Sequence, residues 1–296
     1  ISGDCLHMKL QQAFDISRGE VVSFIGGGGK TSTLVGLGYE LAEAGWRVLA
    51  TTTTKIREDQ LSLFPLALPV SSGTVEISHA MTMHKFVFLY ERLEDGIVYG
   101  ISPEAISALI DVVDSDVMLV EADISHGRPL KAPKKDEPFI PPETSLVIPV
   151  ASLSVLGKSL DDKHVYNAKA VMDRYGFREG NRIRSPWVAQ VLRDEALGLQ
   201  GVPPGTRVVA FLNQTPPKGY ARARARLIAR LTLREPRIYG VAIGSVRGAE
   251  PVHEIRRPVG AIVLAAGMSR RMGQSKMLLP WTEKRTIIEH IVEQLI

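Results

Sequence analysis

Short runs of apolar and β-branched residues recur along the chain and predict the strands of one sheet. They lie at residues 21–25, 47–50, 85–90, 117–120, 146–150, 207–213 and 238–243. Between the first two runs, residues 34–44 keep their apolar positions at helical spacing. A strand, a helix and a second strand in this order form a unit with parallel strands. The pattern therefore predicts an α/β fold with a mostly parallel sheet flanked by helices.

Three other stretches predict local elements. Residues 102–113 predict a helix, because they open with a serine, a favoured N-cap, followed by a proline. Residues 96–100 are expected to form a hairpin with residues 85–90. Residues 56–84 contain prolines and little periodicity, so we expect an irregular excursion there.

The first apolar run leads into the stretch with the strongest chemical signal. It consists of four consecutive glycines, a lysine and two hydroxyl residues: Gly26, Gly27, Gly28, Gly29, Lys30, Thr31 and Ser32. Each ordered glycine costs roughly 0.5–1 kcal/mol relative to alanine, which favours a loop whose backbone must approach a ligand. Amide N–H groups at a helix N-terminus bind phosphate, a lysine adds charge, and the next hydroxyl binds Mg²⁺ in such loops. The stretch predicts a P-loop for a nucleoside triphosphate and Mg²⁺, and hence a P-loop NTPase-like fold.

This loop is shorter than the common Walker A motif. Phe24 stands where that motif has its first glycine. Residues 26–31 instead fit the tighter pattern G-x-x-G-K-[ST], as in the Mur ligase type of P-loop. An ATP-dependent ligase or kinase that acts on an acidic small molecule is therefore an open alternative to simple hydrolysis.

A further apolar run ends in two acidic residues. Glu121 and Asp123 follow residues 117–120, and strand periodicity places both carboxylates on one face. We expect Asp123 to hold Mg²⁺ together with Thr31, while Glu121 positions water. Lys30, Glu121 and Asp123 then form the predicted catalytic set.

Two basic stretches supply further candidates for anion binding. Four threonines at residues 51–54 precede Lys55, at the end of a strand expected to lie next to the P-loop strand. Residues 127–138 form a Pro-rich basic loop that contains Lys131. We predict that Lys55 and Lys131 contact phosphate or a second anionic ligand. The alternatives are that the threonines only continue the strand and that the loop is a solvated charge run.

Composition narrows the class of protein. The formal net charge of +4 is spread over 296 residues, which anionic nucleotides explain as well as nucleic acid does, so we expect no nucleic-acid partner. The one cysteine, Cys5, permits no disulfide within the sequence and suits a reducing cytoplasm. Because no run of about 18 apolar residues occurs, we expect a cytoplasmic protein without a membrane partner.

The motifs of roughly the first 250 residues together resemble the YqeC family, described as accessory proteins of selenium-dependent molybdenum hydroxylases. The shared features lie at residues 26–32, 51–55, 121–123 and 127–133. The resemblance implies nucleotide binding and a role in maturation, with a molybdenum hydroxylase or its cofactor as partner. Asn213 lies where many P-loop proteins begin an N-K-x-D motif for base recognition, but the lysine and aspartate are missing. Guanine specificity is thus unsupported, and ATP is favoured over another nucleoside triphosphate.

A second resemblance begins near residue 259. Residues 259–276 are similar to the opening signature of MobA-like molybdenum-cofactor nucleotidyltransferases, which implies Gly267, Arg271 and Lys276 as nucleotide-binding residues. The resemblance covers only about 38 residues. We therefore expect an incomplete, Rossmann-like C-terminal segment without transferase activity. The predicted division is a P-loop domain at 1–250, a linker at 251–258 and the MobA-like fragment at 259–296.

These features favour an ATP-binding, ATP-hydrolysing accessory protein for the maturation of a molybdenum hydroxylase, with or without selenium. A non-catalytic, nucleotide-gated chaperone or binding module is the third hypothesis, beside the ligase or kinase.

Overall fold

A computed structural model describes residues 8–258, 276–282 and 285–295. The chain divides into two compact units, Ile1–Arg257 and Pro258–Ile296, which are described separately. Cys5, Gly267 and Arg271 lie outside the described residues. None of the described helices is long and apolar enough to cross a membrane.

The first unit alternates strands and helices. Its strands are β1 (Glu20–Gly26), β2 (Val48–Thr52), β3 (Lys55–Arg57), β4 (Ala67–Pro69), β5 (Phe86–Tyr90), β6 (Arg92–Glu94), β7 (Ile97–Tyr99), β8 (Val117–Glu121), β9 (Leu130–Lys131), β10 (Leu146–Ser152), β11 (Val165–Tyr166), β12 (Arg207–Asn213), β13 (Ile238–Gly244) and β14 (Val252–Arg256). Its helices are α1 (Leu10–Phe14), α2 (Lys30–Glu43), α3 (Thr74–His84), α4 (Pro103–Val112), α5 (Ala168–Tyr175), α6 (Ser185–Arg193) and α7 (Tyr220–Thr232).

Nine strands form the central sheet, in the order β14-β13-β12-β10-β1-β8-β2-β5-β4. Each neighbouring pair is parallel except β13 and β14, which are antiparallel. The predicted α/β fold with a mostly parallel sheet is thus confirmed. Val21 and Ile25 of β1 belong to one apolar cluster, and Val22 and Phe24 belong to another. Because successive side chains point to opposite faces, helices cover the sheet on both sides.

The strand order corrects one expectation about the site. β1 lies between β10 and β8, so β2 with its threonines is separated from the P-loop strand by β8. Local sequence shows that two strands are parallel, but the crossover connections decide which of them are neighbours. As a result, the acidic end of β8 lies beside the glycine loop.

Three further expectations were wrong in detail. Residues 56–84 are not irregular: they contain β4, α3 and a 3₁₀ helix, Glu58–Leu63, and the ring of Phe64 after it stacks on Phe88 at 4.2 Å. β7 pairs with β6 and β3 in a separate three-stranded sheet, and not with β5. The predicted linker contains β14, whose charged residues suit the edge of a sheet.

The second unit contributes few described elements. β15 (Pro280–Thr282) pairs antiparallel with β16 (Arg285–Thr286), and helix α8 spans Ile287–Leu295. Lys276 begins a short 3₁₀ helix, Lys276–Leu278.

Candidate functional site

The glycine loop joins β1 to α2 and packs tightly on its neighbours. A Cβ atom would lie 2.4 Å from the Val150 carbonyl oxygen at Gly26, and 2.4 Å from the Ser152 Cβ at Gly28. A Cβ at Gly27 would lie 2.6 Å from a backbone oxygen, and one at Gly29 would lie 2.3 Å from an amide nitrogen. Gly26, Gly28 and Gly29 also have positive φ angles of 92°, 80° and 120°. Glycine is therefore required at these positions by the protein's own packing.

Side chains of β12 and α2 bind the carbonyl groups of the loop, and the helix N-terminus lies at a cleft. Asn213 Nδ2 donates to the Gly28 carbonyl oxygen at 2.9 Å, and Thr33 Oγ1 donates to that of Gly29 at 2.8 Å. The amides of the first turn of α2, which begins at Lys30, have no intrahelical acceptor. This end of the helix has the amides and the dipole that favour an anion.

Lys30 is folded back beneath the loop. Its Nζ lies 2.9 Å from Asp123 Oδ1 and donates to the Gly26 carbonyl oxygen at 2.8 Å. Glu121 Oε1 lies 3.8 Å from the same nitrogen, and the Lys30 side chain is only 3% exposed. Burial by itself lowers the pKa of Lys30, but attraction to Asp123 and Glu121 outweighs it, so the pKa lies above its ordinary value. Lys30 is therefore charged.

Thr31 contacts Glu121 rather than Asp123. The Thr31 hydroxyl donates to Glu121 Oε2 at 2.8 Å. Thr31 thus pairs with the carboxylate at the end of β8, and the joint binding of Mg²⁺ by Thr31 and Asp123 stays a prediction. Burial raises the pKa of Glu121, and the opposing effects of Lys30 and Thr31 are smaller, so the pKa lies above its ordinary value.

Asp123 belongs to a buried charge network with a second lysine. Asp123 Oδ2 accepts from the Gly26 amide at 2.8 Å and lies 3.3 Å from Lys131 Nζ. Lys131 Nζ also lies 2.9 Å from Glu137 Oε2, donates to the Ile124 carbonyl oxygen at 2.7 Å, and is 1% exposed. The Lys131 ammonium group is therefore enclosed by protein groups, and its contact with phosphate or a second anionic ligand stays a prediction.

Glu137 completes this network. Burial by itself raises the pKa of Glu137. Hydrogen bonds from Lys131 and the Lys134 amide lower it by more than burial raises it, so the pKa lies below its ordinary value. Tyr166 donates from its hydroxyl to Glu137 at 3.1 Å, and the ring of Tyr166 lies 4.6 Å from Lys131 Nζ. The network holds Asp123 in place from the side opposite Lys30.

A cleft of about 580 Å³ opens at the glycine loop. Its walls include Thr31, Ser32, Lys55 and Glu121, and Lys55 Nζ lies 4.5 Å from the centre of the Tyr99 ring. Lys55 is an exposed residue of this cleft. The structure thus brings the loop, Glu121 and Lys55 to one cavity, whereas Asp123 and Lys131 lie beneath it.

Sequence reasoning missed Arg247, which lies in the turn between β13 and β14. This arginine lines the same cleft, and its Nη2 donates to Ser32 Oγ at 3.2 Å. No local pattern marks it, because it approaches α2 only through the pairing of distant strands.

Comparison with known proteins supports both resemblances inferred from the motifs. Residues 22–169 match the YqeC protein family, and residues 261–296 match the MobA-like NTP transferase domain. A curated relative, the uncharacterized protein YqeC of Escherichia coli (strain K12), is 36% identical over 203 residues, or 67% of this chain and 77% of that protein. Both resemblances are confirmed.

Solved structures give weaker likenesses. Chloroplast FtsY from Physcomitrella patens is 16% identical, with 86% of this chain and 67% of that chain covered and a TM-score of 0.38. The signal recognition particle receptor FtsY from Elizabethkingia anophelis is 12% identical, with 77% and 59% covered and a TM-score of 0.35.

Proposed function

We propose that this chain, which belongs to the YqeC family, binds the phosphates of a nucleoside triphosphate at its glycine loop and hydrolyses the nucleotide as an accessory protein. The observation that carries the proposal is the arrangement at the N-terminus of α2. The N-terminal amides of α2, the charged Lys30 and the Thr31–Glu121 pair all lie at an open cleft. Such a constellation suits positioning and charge neutralisation, which phosphoryl transfer mainly requires.

Lys30 changes partners in this proposal. In the structure its ammonium group is held by Asp123 and the Gly26 carbonyl oxygen. A phosphate at the helix N-terminus offers it a stronger anion, and Asp123 keeps Lys131 and the Gly26 amide when Lys30 leaves. Asp123 is thus a positioning residue for Lys30, and Glu121 is the carboxylate that faces the nucleotide.

The residues present fit Mg²⁺. Among the described residues, no group of three or more His, Cys, Asp or Glu side chains could hold a metal ion by itself. Mg²⁺ in nucleotide sites needs only one or two protein oxygen ligands beside the phosphates and waters. The Thr31 hydroxyl and the Glu121 carboxylate, which are hydrogen-bonded at 2.8 Å, would supply them. When bound, Mg²⁺ neutralises charge on the phosphate oxygens.

The client in this proposal is a molybdenum hydroxylase, selenium-dependent or not, or its cofactor. Support comes from the MobA-like segment at residues 261–296, which joins a nucleotidyltransferase-related sequence to the P-loop unit in one chain. ATP is the proposed nucleotide, since the residues after Asn213 lack the lysine and aspartate of guanine recognition.

Calorimetry tests the proposal. ATP, GTP and CTP are titrated with and without Mg²⁺ into the unmutated chain, Lys30→Ala and a control, Lys169→Ala, whose lysine is 76% exposed on α5. We expect Mg²⁺-dependent binding that Lys30→Ala weakens at least about 10-fold, the loss of roughly 1.4 kcal/mol, while the control is unchanged. Circular dichroism confirms that each variant is folded. Absence of binding by the unmutated chain would refute the proposal.

Transfer to an acidic small molecule is the second candidate. The observation that favours it is the extension of the cleft from the glycine loop to Lys55 and Arg57, which leaves room and positive charge for a second anion. Release of ADP that requires an added acceptor, with phosphate recovered on that acceptor, would establish transfer and exclude simple hydrolysis.

A non-catalytic chaperone or binding module that is gated by nucleotide binding is the third candidate. The variant Glu121→Gln distinguishes it from a hydrolytic function. If this variant binds ATP without turnover and still supports maturation of a molybdenum hydroxylase, hydrolysis is dispensable. Loss of both turnover and maturation supports nucleotide hydrolysis as part of the function.

A further inference from the structure

Helix α7 and the edge strand β14 together carry a cluster of positive charge around one carboxylate, that of Glu254. Arg222 Nη2 donates to Glu254 Oε2 at 3.1 Å, and Arg226 Nε donates to the same oxygen at 2.8 Å. Arg256 Nε donates to Glu254 Oε1. We call these three arginines the arginine cluster. Its three positive charges and the one negative charge of Glu254 leave a formal charge of +2.

The arginine cluster keeps hydrogen-bond donors for a further anion. Burial alone raises the pKa of Glu254, but hydrogen bonds from the three arginines lower it by more, so the carboxylate is ionised. The Glu254 side chain is 14% exposed, whereas those of Arg226 and Arg256 are each 49% exposed. Toward the residues that the structure describes, Arg226 and Arg256 donate hydrogen bonds from Nε only. Both Nη groups of each guanidinium are therefore available to an external partner.

The arginine cluster continues along α7 as a row of basic side chains. Arg222, Arg226 and Arg230 recur every four residues, which puts them on one side of the helix over about 12 Å. Ala225 and Ile228 are buried, and the helix packs on α6 and β13. The helix contains no aspartate or glutamate. Its charged side chains are thus all positive, and its backbone is held in place by the core.

We propose that the arginine cluster and this row form a docking surface for an acidic segment of a partner protein. Carboxylates four residues apart on a helix of the partner repeat about every 6 Å, the interval at which the row of α7 repeats. Guanidinium groups bind carboxylates through paired N–H donors, which Arg226 and Arg256 still offer. The glycine loop takes no part in this surface, so the proposal is independent of nucleotide binding.

The size and setting of the surface favour an acidic protein over nucleic acid or a membrane. Proteins that bind DNA tightly contact about 6–10 phosphates. The surface offers fewer arginines, and it has a fixed carboxylate at its centre: Arg222, Arg226, Arg230 and Arg256 around Glu254. A helix that lies on a membrane needs a free apolar face, but the apolar residues of α7 are packed against the rest of the fold.

Fluorescence anisotropy with a defined peptide tests this surface. The probe is a labelled, alanine-based helical peptide with a glutamate at every fourth residue, titrated at about 50 mM salt, where surface charges are weakly screened. The variant Arg226→Ala/Arg230→Ala is compared with Arg178→Ala/Arg184→Ala, which removes the same charge from two other exposed arginines. We expect the first variant to bind the peptide at least about 10-fold more weakly than the unmutated chain, and the second within about 2-fold.

The variant Glu254→Gln separates docking from damage to the fold. It removes the carboxylate that competes with the partner, so it should bind the peptide about 2- to 5-fold more tightly, a gain that a disrupted surface does not produce. Absence of peptide binding by the unmutated chain, or equal affinity of the two double variants, would overturn the proposal. Tighter binding of an oligothymidine, or of vesicles of phosphatidylcholine and phosphatidylserine, through the same arginines would also overturn it.

ATP affinity shows that this test is separate from that of the proposed function. Arg226→Ala/Arg230→Ala should bind ATP as the unmutated chain does, and Lys30→Ala should bind the acidic peptide as the unmutated chain does. Loss of peptide binding in Lys30→Ala would place the peptide at the glycine loop and contradict docking on α7.

Discussion

Replacement of Lys131 by methionine tests the buried network under the glycine loop. The Lys131 ammonium lies 3.3 Å from Asp123 and 2.9 Å from Glu137, and its side chain is 1% exposed. Methionine keeps most of the apolar stem but leaves both carboxylates without this counter-charge. Breaking a buried ion pair typically costs about 3–5 kcal/mol, a large part of a domain stability of about 5–15 kcal/mol.

Chemical denaturation measures this loss, with Lys169→Met as the matched control. Lys169 also pairs with an aspartate, at 2.7 Å, but it is 76% exposed, and such surface pairs contribute about 0–1 kcal/mol. We expect Lys131→Met to lower the denaturant concentration at the unfolding midpoint strongly, with no change in the slope of free energy against denaturant. The control should leave this midpoint nearly unchanged. The double variant Lys131→Met, Glu137→Gln should lose less free energy of unfolding than the sum of the two single variants. The reason is that Glu137→Gln removes one of the carboxylates left without a counter-charge.

Nucleotide affinity gives an independent readout of the same variant. Without Lys131, Asp123 depends more strongly on Lys30 for charge compensation, so less of that lysine is available to a phosphate. We expect ATP affinity to fall about 10-fold in Lys131→Met protein that is still folded. A stability loss no larger than that of Lys169→Met, together with unchanged ATP affinity, would refute the assignment of Lys131 as the counter-ion of Asp123.

Three other predictions follow from the geometry. Gly28→Ala should lower the free energy of unfolding by about 2–5 kcal/mol from strain and overlap, against about 1–2 kcal/mol for Gly45→Ala, which shares the positive φ but has open space; thermal and chemical denaturation compare them. Because the pKa of Glu137 is lowered in the folded state, its contribution is present above its ordinary value of 4.5 and lost as the pH falls through the folded value. Stability measured against pH should therefore decline less below 4.5 in Glu137→Gln, and an equal decline would contradict the shift. Glu121→Gln should retain ATP binding by calorimetry but lose phosphate release, and full turnover would exclude Glu121 from the site.

Most of the fold was predictable, since its signals are local. Continuous apolar runs identified the main strands, and glycines followed by a lysine identified the loop between β1 and α2 from a few adjacent residues. Short elements within residues 56–84 were missed because they are held by distant contacts, such as the stacking of Phe64 on Phe88. The periodicity of apolar residues shows which residues share one face of a strand or helix. It does not show which other element packs against that face.

The candidate site was only partly predictable for the same reason. Strand periodicity predicted that the carboxylates of Glu121 and Asp123 lie on one face. In the structure both carboxylates lie within 3.8 Å of Lys30 Nζ. Which of them meets Thr31 depends on where β8 ends and how the chain turns beneath the loop. Neighbouring residues in the sequence therefore identified the candidate site residues. The sequence did not show which of them line the cleft and which lie beneath it.

By itself, the sequence determined the α/β class, the position of the glycine loop and the family, because adjacent residues carry those patterns. Tertiary structure alone decided that Lys131 is buried as a counter-ion, that Arg247 reaches the start of α2, and that Asn213 joins the loop to the turn between β13 and β14. Each of these contacts joins segments far apart in the chain. Strand order and crossover connections create such contacts, and no local pattern of residues specifies them.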